Sequence, residues 1–248
     1  MVKRVLISAM IWMAGVLLTV ALYLAILATV ALFPFDRERR RAHAQCYWWG
    51  GAMIAANPFW KVEVSGLENI DHNKTYVIVA NHQSLADIFV LYKIRMQFKW
   101  VAKESLFGIP FLGWCMALCK HIRISRGELG SIKQVYRQAA GWLRGGMSVI
   151  FFPEGTRSED GRLKDFMNGA FKLALKERVP ILPVALHGTA SVISKGSRLF
   201  GTKVRSSIDV LPAIDVSGYA AADFVKLRDT ARSMLAAALR KREHSRSL

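Results

Sequence analysis

The hydrophobic pattern divides the chain into two unlike parts. Residues 5–35 carry no charge, an apolar run longer than the ~20 residues a helix needs to cross a bilayer. From residue 61 onward, short β-branched runs alternate with segments that are apolar at three- and four-residue spacing. The runs predict strands at 61–65, 75–80, 98–102, 121–124, 148–152, 181–186 and 203–210. The spaced segments predict helices at 85–92, 111–120, 130–144, 168–176 and 221–242. Alternation of this kind predicts an α/β fold with a mainly parallel sheet flanked by helices. In such sheets ligands sit beyond the carboxyl ends of the strands. No internal repeat is visible.

The apolar run is preceded by Lys3 and Arg4 and followed by Arg37, Arg39, Arg40 and Arg41. A signal peptide begins similarly but has a shorter apolar core, about 7–15 residues, so this run is expected to be retained. The heavier basic cluster on its C-terminal side places the rest of the chain in the cytoplasm, facing the inner membrane if the source is bacterial. A crossing helix is expected, with a helix that enters and leaves one leaflet, bent at Gly15 or Pro34, as the alternative. Residues 42–60 then carry Cys46, Tyr47, Trp48, Trp49, Phe59 and Trp60 and end at Asn57-Pro58. Aromatic residues of this kind mark the headgroup level, and equally a core helix. The expected organisation is therefore an N-terminal membrane-anchoring helix pair (1–41 apolar, 42–60 interfacial), a domain over 61–235 and a frayed basic tail over 236–248.

Composition narrows the partners. The chain has 248 residues, 52% of them hydrophobic, and a formal charge of +17 from 35 Lys and Arg against 18 Asp and Glu. A basic, apolar chain suits an anionic membrane surface as readily as nucleic acid. No zinc-finger, RNA-recognition or helix-turn-helix signature is present, so nucleic acid is not expected as a partner. Cys46, Cys115 and Cys119 lack a second Cys/His pair at ligand spacing, so they read as core residues and no metal site is expected.

Candidate chemistry starts where the predicted strand at 75–80 ends, in Asn81-His82-Gln83-Ser84-Leu85-Ala86-Asp87. A pair five apart inside one helix would point in different directions. His82 is thus expected before the helix and Asp87 in its first turn. The carboxylate would then accept the Nδ1–H of His82 and leave Nε2 free as a base. The plainer alternative is a capping box, with Ser84 at the N-cap and Asp87 three residues on. Lys103, at the end of another predicted strand, offers a point charge for a phosphate, or a solvated surface lysine. Phe152-Pro153-Glu154-Gly155-Thr156-Arg157-Ser158 reads as a tight loop after a buried strand. Gly155 would let backbone N–H groups approach a ligand, Arg157 offers a planar fork for phosphate, and Glu154 would anchor the loop. An exposed Glu–Arg turn is the alternative. Val179-Pro180-Ile181-Leu182-Pro183-Val184 carries no chemistry of its own, and His187 just after it reads as structural.

These four stretches, in this order, resemble the glycerolipid acyltransferase family, and within it the lysophosphatidate acyltransferases. The matching segments are Asn81-His82-Gln83-Ser84-x-x-Asp87, Lys103 with Phe107-Gly108-x-Pro110 and Gly113, Phe152-Pro153-Glu154-Gly155-Thr156-Arg157-Ser158, and Val179-Pro180-Ile181-x-Pro183-Val184. The resemblance implies acyl transfer from a thioester, acyl-CoA or acyl-acyl-carrier protein, to the sn-2 hydroxyl of lysophosphatidate, with no bound cofactor. It implies His82 and Asp87 as the catalytic pair, Lys103 and Arg157 as the phosphate grip, and Glu154, Gly155 and Thr156 as the loop of the substrate site. Other acceptors (glycerol 3-phosphate, another lysophospholipid) remain open. So do a thioester or lipid-ester hydrolase built on the same pair and a non-catalytic binder of anionic lipid. A serine-hydrolase elbow, Gly-x-Ser-x-Gly, is absent.

Overall fold

A computed structural model of the chain describes residues 2–125, 129–158, 161–194 and 196–247. The strands are β1 Trp60–Ser65, β2 Val77–Ala80, β3 Phe98–Lys103, β4 Ile122–Ile124, β5 Ser148–Phe151, β6 Ile181–His187 and β7 Val204–Val210. The helices are α1 Val2–Leu32, α2 Arg40–Ala55, α3 Asp87–Leu91, α4 Leu112–Leu118, α5 Leu129–Arg144, α6 Gly169–Glu177 and α7 Phe224–Ser247. The strands form one sheet in the order β1-β7-β6-β2-β5-β3-β4. β6, β2, β5, β3 and β4 pair in parallel, while β7 runs antiparallel to β6 and parallel to β1. This is the expected mainly parallel sheet.

Both faces of the sheet are covered, which explains why the central strands are apolar without interruption. Successive residues of β2 serve opposite faces. Ile78 and Ala80 pack into a core with Leu22 and Ile26 of α1, Cys46 and Trp49 of α2, and Val90 and Leu91 of α3. Val77 and Val79 pack into a second core with residues of α5, α6 and α7, among them Ala139, Phe171, Leu227 and Leu235. β2 is therefore the most enclosed element, and its carboxyl end is a rigid platform.

The expected pair of anchoring helices is corrected to one. α1, 31 residues long, is apolar and long enough to cross a membrane, and only 17% of its apolar window is buried. α2 instead buries Ala42, His43, Cys46, Trp49 and Ile54 in the domain. An aromatic stripe at helical spacing looks the same in sequence whether it meets lipid or a sheet. The sheet claims this one because the link between α1 and α2 is tied down. Buried Lys99 donates to Glu38 O at 2.6 Å and Cys119 O at 2.8 Å, and Lys120 donates to Arg37 O at 2.9 Å. Burial lowers the Lys99 ammonium to about 8.

The expected frayed tail is also corrected. Residues 236–247 continue α7, while residues 1 and 248 lie outside the described residues. Arg242 holds this end down: its guanidinium donates to Asp209 Oδ2 at 2.9 Å and Glu63 Oε2 at 3.0 Å, joining α7 to β7 and β1. Burial pushes the Asp209 carboxyl up, but the hydrogen bonds it accepts from Arg242 and Ser65, with the Arg242 charge, outweigh that and hold it below the usual range.

Candidate active site

β2 and β5 are parallel neighbours, so the loops leaving their carboxyl ends lie side by side. The first loop carries His82 and the second carries Phe152 to Ser158. The backbone of His82 is gripped from both sides by the second loop. His82 N donates to Glu154 Oε1 at 2.7 Å, and Ser158 N donates to His82 O at 2.8 Å. Asn81 adds a third anchor: its amide exchanges two 2.8 Å hydrogen bonds with the backbone of Leu186 at the end of β6. Sequence reasoning gave Asn81 no role. Its partner lies 105 positions away, and only the pairing of β2 with β6 brings them together.

On this platform the turn folds back as expected. His82 lies before α3, Asp87 begins it, and Nδ1 of His82 stands 2.7 Å from Asp87 Oδ2. The same oxygen accepts Gln83 N at 2.7 Å and Ser84 N at 2.9 Å. Asp87 is completely buried, and Oδ1 has no hydrogen-bond partner among the described residues. The capping-box alternative is half realised. Asp87 reaches back to accept Ser84 N, and the Ser84 hydroxyl oxygen accepts Ala86 N at 3.3 Å, two positions on rather than three, while its proton is donated to Ile193 O at 2.8 Å. One carboxylate thus orients the imidazole and closes the turn, and the two readings describe the same contacts. The backbone N–H groups of Gln83 and Ser84 are consumed here and are not available to stabilise an oxyanion.

The His82 side chain is 14% exposed, and Nε2 makes no hydrogen bond to a described residue. One face of the ring is covered by Phe152, stacked at 4.0 Å between centroids and 12° between planes. Trp100 continues the stack behind Phe152 at 5.8 Å and anchors its indole N–H on the Tyr92 hydroxyl at 2.8 Å. The ring is held by a hydrogen bond at one edge and an aromatic wall on one face, with Nε2 at the remaining edge. Phe152 was legible only as a buried strand residue; nothing in its spacing announces the stack.

Glu154 is buried and bridges its own loop. Oε1 receives His82 N and Oε2 receives Lys164 N at 2.9 Å. Burial pushes its carboxyl up, and the two backbone hydrogen bonds oppose that shift. The expected anchoring role is met by backbone N–H groups. Gly155 has φ +70°, and a Cβ there would stand 2.4 Å from Met167 Cε. Its own N–H closes the turn onto Phe152 O at 3.0 Å, so it shapes the loop from within. Thr156 is exposed beside it. Glu154→Gln removes one of the two acceptor oxygens and turns an N–H of the amide toward a backbone N–H. We expect a loss of about 1–3 kcal/mol in denaturant unfolding of the detergent-solubilised chain; an unchanged midpoint and slope would refute the clamp.

Arg157 lines a cavity of about 490 Å³ together with Leu85 of the turn between β2 and α3 and Trp12 of α1. Lys103 ends β3, separated from β2 by β5, and is exposed. The structure therefore gathers His82, Asp87, Glu154 and Gly155 into one bonded unit and sets Arg157 at an adjoining cavity. Lys103 stands on the same sheet edge, outside that cavity lining. His187 ends β6 beside Asp209, outside the unit around His82. Among the described residues no group of His, Cys, Asp and Glu is arranged to hold a metal.

Residues 61–187 match the family model described as Acyltransferase. The chain is 38% identical over 187 residues to the chloroplastic 1-acyl-sn-glycerol-3-phosphate acyltransferase BAT2 of Brassica napus, a match covering 74% of this chain and 54% of that protein. It is 39% identical over 126 residues to a 1-acyl-sn-glycerol-3-phosphate acyltransferase of Pseudomonas aeruginosa, covering 50% of this chain and 49% of that one. The chain spans about half the length of the curated relatives it matches. Its fold superposes on the crystal structure of the 1-acyl-sn-glycerophosphate acyltransferase PlsC from Thermotoga maritima with a TM-score of 0.80. That match is 26% identical and covers 98% of this chain and 97% of the other.

Proposed function

The chain belongs to the acyltransferase family, and from that premise we propose that it transfers a fatty acyl group from a thioester to the sn-2 hydroxyl of lysophosphatidate, forming phosphatidate. The observation that carries the reading is the His82–Asp87 contact at 2.7 Å with no serine, threonine or cysteine among the described residues bonded to Nε2. A base so placed, without a protein nucleophile, activates a hydroxyl that arrives with the substrate.

The sequence of events follows from that geometry. The acceptor hydroxyl attacks the thioester carbonyl as its proton passes to Nε2, a form of assistance worth about 10²–10⁴-fold. Asp87 keeps the Nδ1–H in place and balances the imidazolium. The tetrahedral intermediate collapses, the carbon–sulfur bond breaks, and the imidazolium returns the proton to the departing thiolate. Arg157 and Lys103 hold the acceptor's phosphate and so fix its hydroxyl near His82. The donor is an acyl thioester of coenzyme A or of acyl carrier protein. Both carriers are acidic, and the net charge of +17 suits either.

α1 serves as the membrane anchor in this reading, lying along one leaflet. Arg4 and Trp12 bond the backbone of Phe200 and Arg198, while Leu22 and Ile26 enter the domain core. From position 4 to position 26 a helix extends about 33 Å, comparable to the hydrocarbon thickness of a bilayer. A perpendicular α1 would drag the domain across the membrane with it. An in-plane α1 instead offers Leu6, Met10, Met13 and Leu17, all exposed, to the lipid where the acceptor resides.

The test is a panel of acceptors with both donors and mass-spectrometric detection of products. Phosphatidate formed only when lysophosphatidate is present supports the reading. Release of free fatty acid at the same rate without acceptor would replace it with hydrolysis. Arg157→Ala is expected to raise the acceptor KM about ten- to hundred-fold, as for loss of a charged hydrogen bond. An unaltered KM and kcat would remove Arg157 from the phosphate grip.

A further inference from the structure

The cavity beside Arg157 has a second cation, and its position is set by the membrane helix. We propose that Arg198 is the second arginine of the acceptor's phosphate site, so that the phosphate seated in the cavity is gripped by Arg157 and Arg198 together, with Lys103, outside the cavity lining, adding its charge from the sheet edge. This rests on the function proposed above and adds a binding residue to the same site. No sequence motif marks Arg198. It lies in the loop after β6, the strand that neighbours β2 at the sheet's carboxyl edge.

Two sets of contacts fix this loop. At its start, Ile193 O receives the Ser84 hydroxyl at 2.8 Å, which ties it to the catalytic turn. At its end, α1 holds it along one stripe of positions 4, 8 and 12. Arg4 Nε donates to Phe200 O at 3.0 Å, Phe200 N donates to Ser8 Oγ at 2.9 Å, and Trp12 Nε1 donates to Arg198 O at 2.9 Å. Trp12 also packs on Phe200, 5.3 Å between ring centroids. A polar stripe on an otherwise apolar helix is thus spent on positioning this one loop. The loop spans the gap between the base and the lipid-facing helix.

The lining suits one class of molecule. Arg157 and Arg198 supply two guanidinium groups, while Trp12, Leu85 and Ile193 supply apolar wall, around about 490 Å³. Neither guanidinium is hydrogen-bonded or ion-paired to a described residue. A phosphate monoester carries about −1.5 to −2 charge at neutral pH, more than a single arginine balances. Two planar forks match it in charge and geometry. The apolar wall meets the first carbons of the single acyl chain as it leaves toward α1. A phosphate monoester bearing one chain is therefore favoured over an acceptor without phosphate. The side chain of Arg198 is free to act because its backbone, not its guanidinium, makes the contact to Trp12.

The experiment compares the full chain with Arg198→Gln, Arg198→Lys, Arg157→Gln and the double variant. It is done in neutral detergent with a soluble short-chain lysophosphatidate, and repeated on anionic vesicles. Equilibrium binding of that lysophosphatidate is measured beside turnover. Arg198→Gln is expected to raise both Kd and acceptor KM about ten-fold or more, with the thioester KM unchanged. Lysine should restore part of the loss. The double variant should lose less than the product of the two single losses, because both arginines hold one phosphate. Binding of the phosphate-free 1-monoacylglycerol should not respond to Arg198→Gln. An unchanged Kd in Arg198→Gln overturns the proposal. So does a loss seen only on anionic vesicles, which would make Arg198 a lipid-surface contact, or a rise confined to the thioester KM. If the wild type binds lysophosphatidate through Arg198 yet forms no phosphatidate, the proposed reaction fails while this site stands.

Discussion

His82→Ala is expected to lower kcat by about 10²–10⁴-fold, the range assigned to a positioned general base, while leaving the fold and membrane binding intact. The separation is possible because the ring and the backbone of His82 do different work. The backbone N–H and carbonyl carry the grip of Glu154 and Ser158, and alanine keeps both. The ring contributes the Nδ1 contact to Asp87 and the stack on Phe152. When it is removed, Asp87 Oδ2 still receives Gln83 N and Ser84 N, so the turn stays closed. Initial rates with lysophosphatidate and an acyl thioester, taken beside a thermal melt and vesicle co-sedimentation, separate the two consequences. Turnover near that of the wild type would dismiss His82 from the chemistry.

Asp87 supports two sharper expectations, because one of its oxygens does three jobs. Asp87→Asn can place its amide oxygen where Oδ2 stands and keep all three hydrogen bonds. The amide nitrogen then takes the place of Oδ1, which has no hydrogen-bond partner among the described residues. One unpaired buried atom is exchanged for another and the three hydrogen bonds stay, so folding should lose less than in Asp87→Ala. The imidazolium, however, loses its counter-charge, and a reversed amide would present an N–H to Nδ1 and select the wrong tautomer. A kcat loss of about 10²–10⁴-fold with acceptor KM retained is expected, the upper end being the size known for such a change in a serine-protease triad. Asp87→Ala differs in kind. It leaves His82 Nδ1, Gln83 N and Ser84 N without their acceptor, at about 1–3 kcal/mol for each buried donor left unsatisfied. That variant should lose stability as well as turnover. If the asparagine variant unfolds as readily as the alanine variant, the charge rather than the hydrogen bonds holds the turn. If it turns over normally, Asp87 is a capping residue and nothing more.

The expected elements of the domain overlap the observed ones throughout, from the strand at 61–65 to the helix at 221–242. The reason is visible in β2. Val77, Ile78 and Val79 are wholly buried between two helical layers, and a strand enclosed on both faces must be apolar at every position. The spacing of His82 and Asp87 was equally legible, because a five-residue separation across a strand-to-helix turn leaves few ways for the two side chains to meet. α2 was not legible in the same way. Trp48 and Trp49 are neighbours in sequence, yet Trp48 is exposed and Trp49 is buried against α1 and α3. Composition gives both the same meaning. Asn81 and Phe152 escaped attention because each meets a partner that is remote in the chain, and Arg198 because the cavity it lines is assembled from remote segments.

What the sequence determined by itself is whatever depends on near neighbours: the alternation of strands and helices, the apolar run of α1, the turn that brings an imidazole to a carboxylate, and the tight loop around Gly155. Those follow from local sterics, periodicity and hydrogen bonds spanning a few residues. The sheet order alone decided which loops share an edge. It sets Glu154 under the backbone of His82, Phe152 against its ring, Leu186 beside Asn81 and the Trp12 indole on the loop that carries Arg198. Such contacts form only after distant segments have been brought together by burial of apolar surface, a force without direction that leaves no mark at the individual positions it unites.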